Sequence, residues 1–157
     1  MNPSKFSGLR FLLWGLAITF ALAPLWLSPA FAAASAGDNP LLAERWKTRP
    51  VVLVVPTRDD PLLRRMQAAL DATPTREAFL DREMVLYTVV AGEGRRNGRP
   101  LSARRTGALL DALGLEAGGV PTFVLVGKDG GTKMKTGPEV ELDAVFAEID
   151  RMPMRRR

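Results

Sequence analysis

Three runs of this chain are apolar at nearly every position, and each is short. Val51-Val52-Leu53-Val54-Val55 is bounded by Pro50 and Pro56. A continuous β-branched run between two prolines reads as a strand buried on both faces. Met84-Val85-Leu86-Tyr87-Thr88-Val89-Val90 and Phe123-Val124-Leu125-Val126 read the same way. Val54, Leu86 and Val124, central in these runs, are expected to line one shared core. Elsewhere the apolar spacing turns helical. Leu62, Leu63, Met66, Ala69 and Leu70 fall on one helical face, with Asp60 placed as N-cap and Pro61 as first helical residue. Thr73-Pro74 breaks that helix, and a second segment reaches Leu80. Ser102 caps a helix that carries Thr106, Leu109, Leu110 and Leu113 inward and ends at Gly114. Leu142, Val145, Phe146 and Ile149 set the last helix, with Arg151 near its end and Pro153 as its stop.

Pro121 has no N–H and so belongs at the first residue of the third strand. Asp129-Gly130 is a hairpin signal, and Thr132-Lys133-Met134-Lys135-Thr136 follows as an edge strand with outward lysines. Residues 91–100 read as a loop. Strands separated by helices imply parallel pairing, and the hairpin adds an antiparallel strand. The expected architecture is α/β: a mixed four-stranded sheet in the order β-α-β-α-β-β-α, with helices on both faces.

Residues 1–36 read as a secretory signal peptide. Lys5 and Arg10 precede an apolar stretch from Phe11 to Leu27, and A-x-A sites follow at Ala30-Phe31-Ala32 and Ala34-Ser35-Ala36. The rival is an uncleaved inner-membrane anchor facing the periplasm, for which the stretch is short and carries Pro24. The organisation is thus a leader, 1–36, and one domain, 37–157, with a short basic tail. The expected location is periplasmic or secreted, with membrane contact only through an uncleaved leader.

Composition narrows the chemistry more than the fold. The net charge is +5, but Lys5 and Arg10 lie in the leader, and Arg151, Arg155, Arg156 and Arg157 outweigh what remains. The basic balance therefore belongs to the tail and argues little for a basic binding face. The chain has no Cys and no His. That excludes a CxxC centre, a thiol nucleophile, a disulfide, Cys or His metal ligation and any triad with an imidazole base.

The stretch from Gly119 to Gly131 has a proline entering a buried strand and a Gly-rich turn closing it. It resembles the second half of a thioredoxin fold, where a cis-proline enters such a strand beside the active site. Four phrases resemble a bacterial family, domain of unknown function 4174. They are Arg45-Trp46-Lys47-Thr48-Arg49-Pro50, Asp81-Arg82-Glu83-Met84-Val85, Val126-Gly127-Lys128-Asp129-Gly130-Gly131 and Ile149-Asp150-Arg151-Met152-Pro153-Met154-Arg155. The resemblance implies a thioredoxin-like, exported domain with no established activity. One departure is Val120-Pro121-Thr122, where a plain apolar entry is expected of the family; it looks more like a true thioredoxin and favours a cis Pro121.

In a redox thioredoxin the CxxC pair opens the first helix, which here corresponds to the segment from Thr57 to Leu63. No thiol is present to form a mixed disulfide. Asp59 and Asp60 are a carboxylate pair for acid–base work or a hard cation; the plainer reading is a turn and an N-cap, since Ca²⁺ takes about six to eight oxygens. The run from Gly92 to Gly98 has the wrong spacing for a dinucleotide loop, and Pro100 intervenes before the helix. Arg95, Arg96 and Arg99, near Arg104 and Arg105, are candidate contacts for an anion or lipid headgroup, or a solvated basic loop. No aromatics interleave with them, and nucleic acid is a poor partner for an exported chain. Trp46 is expected to pack under the sheet edge while Arg45, Lys47 and Arg49 point outward. Met152 and Met154 read as chain termination rather than a soft metal site.

The functional expectation is a non-redox binding or structural module of the cell envelope. The alternative is an enzyme of a non-thiol class using Asp59, Asp60 and nearby arginines. No catalytic, cofactor or metal residue is assigned. The candidate groove is formed by Val120, Pro121, Thr122 and Asp60. There the backbone of Val120 would pair with an extended peptide or a segment of an envelope protein.

Overall fold

A computed structural model describes residues 38–152. The leader, with both A-x-A sites, and the residues from Pro153 to Arg157 lie outside the described residues. The chain enters through a 3-10 turn, Pro40–Glu44, where Asn39 Oδ1 accepts the Leu41 N–H at 3.0 Å. Strand β1 (Arg49–Val55) leads to helices α1 (Pro61–Asp71) and α2 (Thr73–Asp81), and then to β2 (Met84–Val90). Strands β3 (Glu93–Arg96) and β4 (Arg99–Pro100) precede α3 (Ala103–Leu113). Strands β5 (Thr122–Val126) and β6 (Thr132–Thr136) and helix α4 (Leu142–Arg151) complete the order.

Local chemistry accounts for the boundaries. Asp60 Oδ1 accepts the Leu62 N–H at 2.9 Å, and Pro61 follows with its fixed φ, so α1 starts where cap and proline agree. Ser102 Oγ accepts the Arg105 N–H at 3.3 Å at the start of α3. Gly114 closes α3 in the left-handed region, φ 58°, which an L side chain resists.

The sheet has six strands in the order β4-β3-β2-β1-β5-β6. The four expected strands form its β2-β1-β5-β6 part; β3 and β4 replace the expected loop. They are built by two tight turns of two residues each. Ala91 and Gly92 have φ of 49° and 84°, and Asn97 and Gly98 have 46° and 80°. Positive φ at both central residues is the hairpin turn whose twist matches the flanking strands. Asn97 also extends the ladder: its Oδ1 accepts the Leu86 N–H at 2.9 Å, and its own N–H donates to the Leu86 carbonyl.

A second correction concerns direction. β1 and β2 are parallel, but β5 runs antiparallel to β1 although α3 precedes it. The register sets Thr122 opposite Val54, so residues 114–121 deliver the chain to the end of β1 and β5 must run back.

Helices cover both faces. Val51, Leu53 and Val55 point to a core with Leu62, Met66, Phe79, Phe123, Val145 and Ile149. Val52 and Val54 point to a second core with Leu41, Tyr87, Leu109 and Val124. The single shared core expected for Val54, Leu86 and Val124 is therefore wrong. Leu86 pairs with Val51 and packs on the first core, because strand residues alternate faces with period two. Among the described residues no helix is long and apolar enough to cross a membrane.

Gly94 of β3 lies close against Thr106 of α3. A Cβ there would lie 2.9 Å from Thr106 Cγ2 and 3.0 Å from Thr106 Cβ, besides striking its hydroxyl. Gly94→Ala is expected to destabilise by about 1–3 kcal/mol through overpacking. Gly107, in the same helix, has open space around its Cα, so Gly107→Ala is expected to stabilise by about 0.5–1 kcal/mol. Denaturant melts of the two variants check both signs; a neutral Gly94→Ala would refute the packing.

Candidate functional site

The end of β1 that leads into α1 gathers most of the residues singled out from sequence. Because Thr122 pairs with Val54, Pro121 and Val120 lie beyond it at the same sheet end as the turn from Pro56 to Asp60. Val120 is 76% exposed, and Pro121 and Thr122 are half-buried. Thr122 Oγ1 donates to the Val120 carbonyl at 2.7 Å. Asp59 is exposed, whereas Asp60 is buried with one carboxylate oxygen committed to the helix cap. Arg58 reaches across to Glu93 at the start of β3, 3.0 Å away; both are exposed, so the pair adds little stability.

The three arginines of the basic hairpin divide. Alternation along β3 sends Arg95 outward, where Nη1 lies 3.4 Å from the Gly98 carbonyl. Arg96 turns inward to the carboxylate of Glu44, with Nε 2.7 Å from Oε1 and Nη2 3.3 Å from Oε2. Arg99 stays exposed on β4. Glu44 is itself buried and takes two further hydrogen bonds, from the Tyr87 hydroxyl at 2.7 Å and the Thr48 hydroxyl at 2.6 Å. Sequence reading missed this cluster.

Burial pushes the Glu44 carboxyl up, but the hydrogen bonds from Arg96, Thr48 and Tyr87 outweigh it and leave the group below its ordinary value. The same arrangement raises the Tyr87 phenol, through burial first and then the Glu44 carboxylate. It raises the Arg96 guanidinium as well, chiefly through its hydrogen bond to Glu44. Arg96 is thus bound into the fold, while Arg95 and Arg99 remain open to solvent.

The segment around Trp46 differs from expectation. Trp46 is 67% exposed, with a left-handed backbone, φ 64°, and its N–H donates to the Lys128 carbonyl at 2.7 Å. Arg49, expected to point outward, is only 1% exposed. The reason is register: Arg49 is the first residue of β1, paired with Met84 inside the sheet, and the turn before it leaves Trp46 outside. Met152 immediately follows α4, while Pro153 and Met154 lie outside the described residues.

Glu44→Ala is expected to cost about 3 kcal/mol, since it leaves the buried Tyr87 hydroxyl and part of Arg96 without their acceptor. The pH dependence follows in sign. Glu44, together with Glu83 beside Lys128 and Asp129 beside Lys133, has its folded pKa below the ordinary value. Their stabilisation is complete above the unfolded values, 4.5 for Glu and 3.8 for Asp, and is lost as pH falls through the folded ones. Thermal melts from pH 6 down to about 2 should fall for the wild type and fall less for Glu44→Gln; parallel curves would refute the Glu44 contribution.

No curated protein and no solved structure matches the chain significantly. A family model described as Domain of unknown function (DUF4174) matches residues 40–157. The match begins at the 3-10 turn that carries Glu44 and takes in every strand and helix described above. The chain belongs to the DUF4174 family.

Proposed function

We propose that the protein is an exported, thioredoxin-like binding module of the cell envelope, without thiol redox activity. Its groove beside Val120 takes an extended protein segment. The β2-β1-β5-β6 part of the sheet, with β1 and β2 parallel and β5 and β6 antiparallel, supports the thioredoxin-like reading. On that reading the β3–β4 hairpin is a lateral addition. The chain's lack of Cys supports the absence of disulfide exchange.

The observation that carries the proposal is Val120. It is an apolar residue left 76% exposed at the sheet end, directly before Pro121 and beside the turn that opens α1. Main-chain pairing with an extended segment needs no reactive side chain, so such a groove serves without cysteine. Asp60 weighs against the alternative of acid–base chemistry, because its carboxylate is buried and already caps α1.

Two measurements test the proposal. NMR titration with a library of extended peptides should shift the amides of Val120, Thr122 and Asp60; shifts confined to Arg95 and Arg99 would move the binding elsewhere. Mass spectrometry of the purified envelope fraction should find the mature N-terminus near Ala33 or Gly37. A full-length product embedded in membrane would overturn export by cleavage and favour an anchor.

A further inference from the structure

The opposite end of β1 holds a charged group without a full set of partners. Arg49 is 1% exposed. Its Nη1 donates to the Arg82 carbonyl at 2.9 Å and lies 3.4 Å from Glu83 Oε2. Its Nε and Nη2 are buried with no hydrogen-bond partner among the described residues. These two nitrogens form the side-on edge of the guanidinium, whose parallel N–H groups match the two oxygens of a carboxylate or phosphate. Buried donors are nearly always satisfied, and an unmet edge on a charged group is the kind of exception that points to an absent acceptor.

Arg49 lines an open-sided cavity of about 460 Å³, with Lys128, Lys133, Arg151 and Met152 among its walls. The neighbouring acids are already engaged. Asp129 binds Lys133 at 2.6 Å, Glu148 binds Arg151 at 2.7 Å, and Glu83 binds Lys128. Glu83 is therefore shared between Lys128 and Arg49, and among the described residues the cluster of four cations and three acids retains one positive charge without its own counterion. Met152 and the buried Gly127 give the cavity an apolar side, and its size suits a small organic molecule rather than a bare ion. Met152, which lines the same cavity as Arg49, is unbranched and adaptable.

We propose that Arg49 is the receptor of an oxyanion site, binding the carboxylate or phosphate group of a small organic ligand, with Lys128 and Arg151 on its rim. The site lies at the far end of β1 from Val120 and stands independently of the groove.

The test is calorimetric titration of the purified protein with succinate, with inorganic phosphate and with chloride at matched ionic strength. Saturable binding of succinate or phosphate, but not chloride, is expected, and it should vanish in Arg49→Met. Binding of succinate alone assigns a carboxylate, and binding of phosphate alone a phosphoryl group; either supports the site. If circular dichroism shows that Arg49→Met does not fold, Arg151→Gln replaces it, changing an exposed rim residue, and at least threefold weaker binding is expected. The proposal is overturned if neither anion binds saturably, as when a buried water alone meets the Arg49 edge. It is equally overturned if binding is undiminished in folded Arg49→Met or, where that variant does not fold, in Arg151→Gln.

Discussion

Burial of β1 on both faces is the constraint from which the rest of the structure follows. All seven of its residues are buried. A strand with no solvent face needs a partner on each edge and a covered surface on each side. β2 and β5 take the edges, α1, α2 and α4 cover one side, and α3 with the entry turn covers the other. Five aliphatic side chains from Val51 to Val55, at about 1.5–3 kcal/mol each, contribute an amount comparable to the whole net stability of a domain, about 5–15 kcal/mol. The helices are thus less a decoration of the sheet than the condition for β1 to exist.

The covering of the second side is secured by charge rather than by apolar area alone. Leu41 belongs to the second core but sits on a 3-10 turn too short to hold itself in place. Glu44, in the same turn, supplies the hold. It reaches Tyr87 on β2 and Arg96 on β3, tying the chain entry to two strands at once. A buried carboxylate with a single partner would be costly; with three donors on its two oxygens it is satisfied. This gives the basic hairpin its division of labour, one arginine facing in and its neighbours facing out.

What was legible in the sequence was local. The β2 strand, the Asp60 cap, the Ser102 cap and the Gly114 stop all depend on residues within a few positions of one another, and all are where periodicity and capping place them. The β3–β4 hairpin was also legible in principle: Asn97-Gly98 is a strong turn signal, but the surrounding arginines and glycines resemble a loop. The antiparallel course of β5 was not, because a helical connection ordinarily implies parallel strands, and the return along residues 114–121 leaves no sequence mark. Least legible were Glu44 and Arg49. Charged side chains read as surface by default. Only the fold shows that Tyr87 and Arg96 meet Glu44, or that register draws Arg49 into the sheet.

The two resemblances in the sequence point to opposite ends of β1. The residues that resemble a thioredoxin, Val120-Pro121 and the turn into α1, stand at its last residue, and the chain has no Cys to place there. Residues of the four phrases that resemble the family meet at its first residue. Arg49, Glu83, Lys128, Asp129, Arg151 and Met152 come from all four phrases, and they gather around one cavity and its ion pairs. Glu83 there holds a left-handed backbone, φ 53°, a conformation that a non-glycine residue keeps only where its surroundings enforce it. At about 3.3 Å per residue, six steps along β1 separate the two ends by about 20 Å, too far for one small ligand to bridge. The end that carries the sequence resemblance to thioredoxins leaves the apolar Val120 exposed. The other end instead buries a guanidinium with two nitrogens unpaired among the described residues, beside ion pairs drawn from all four phrases.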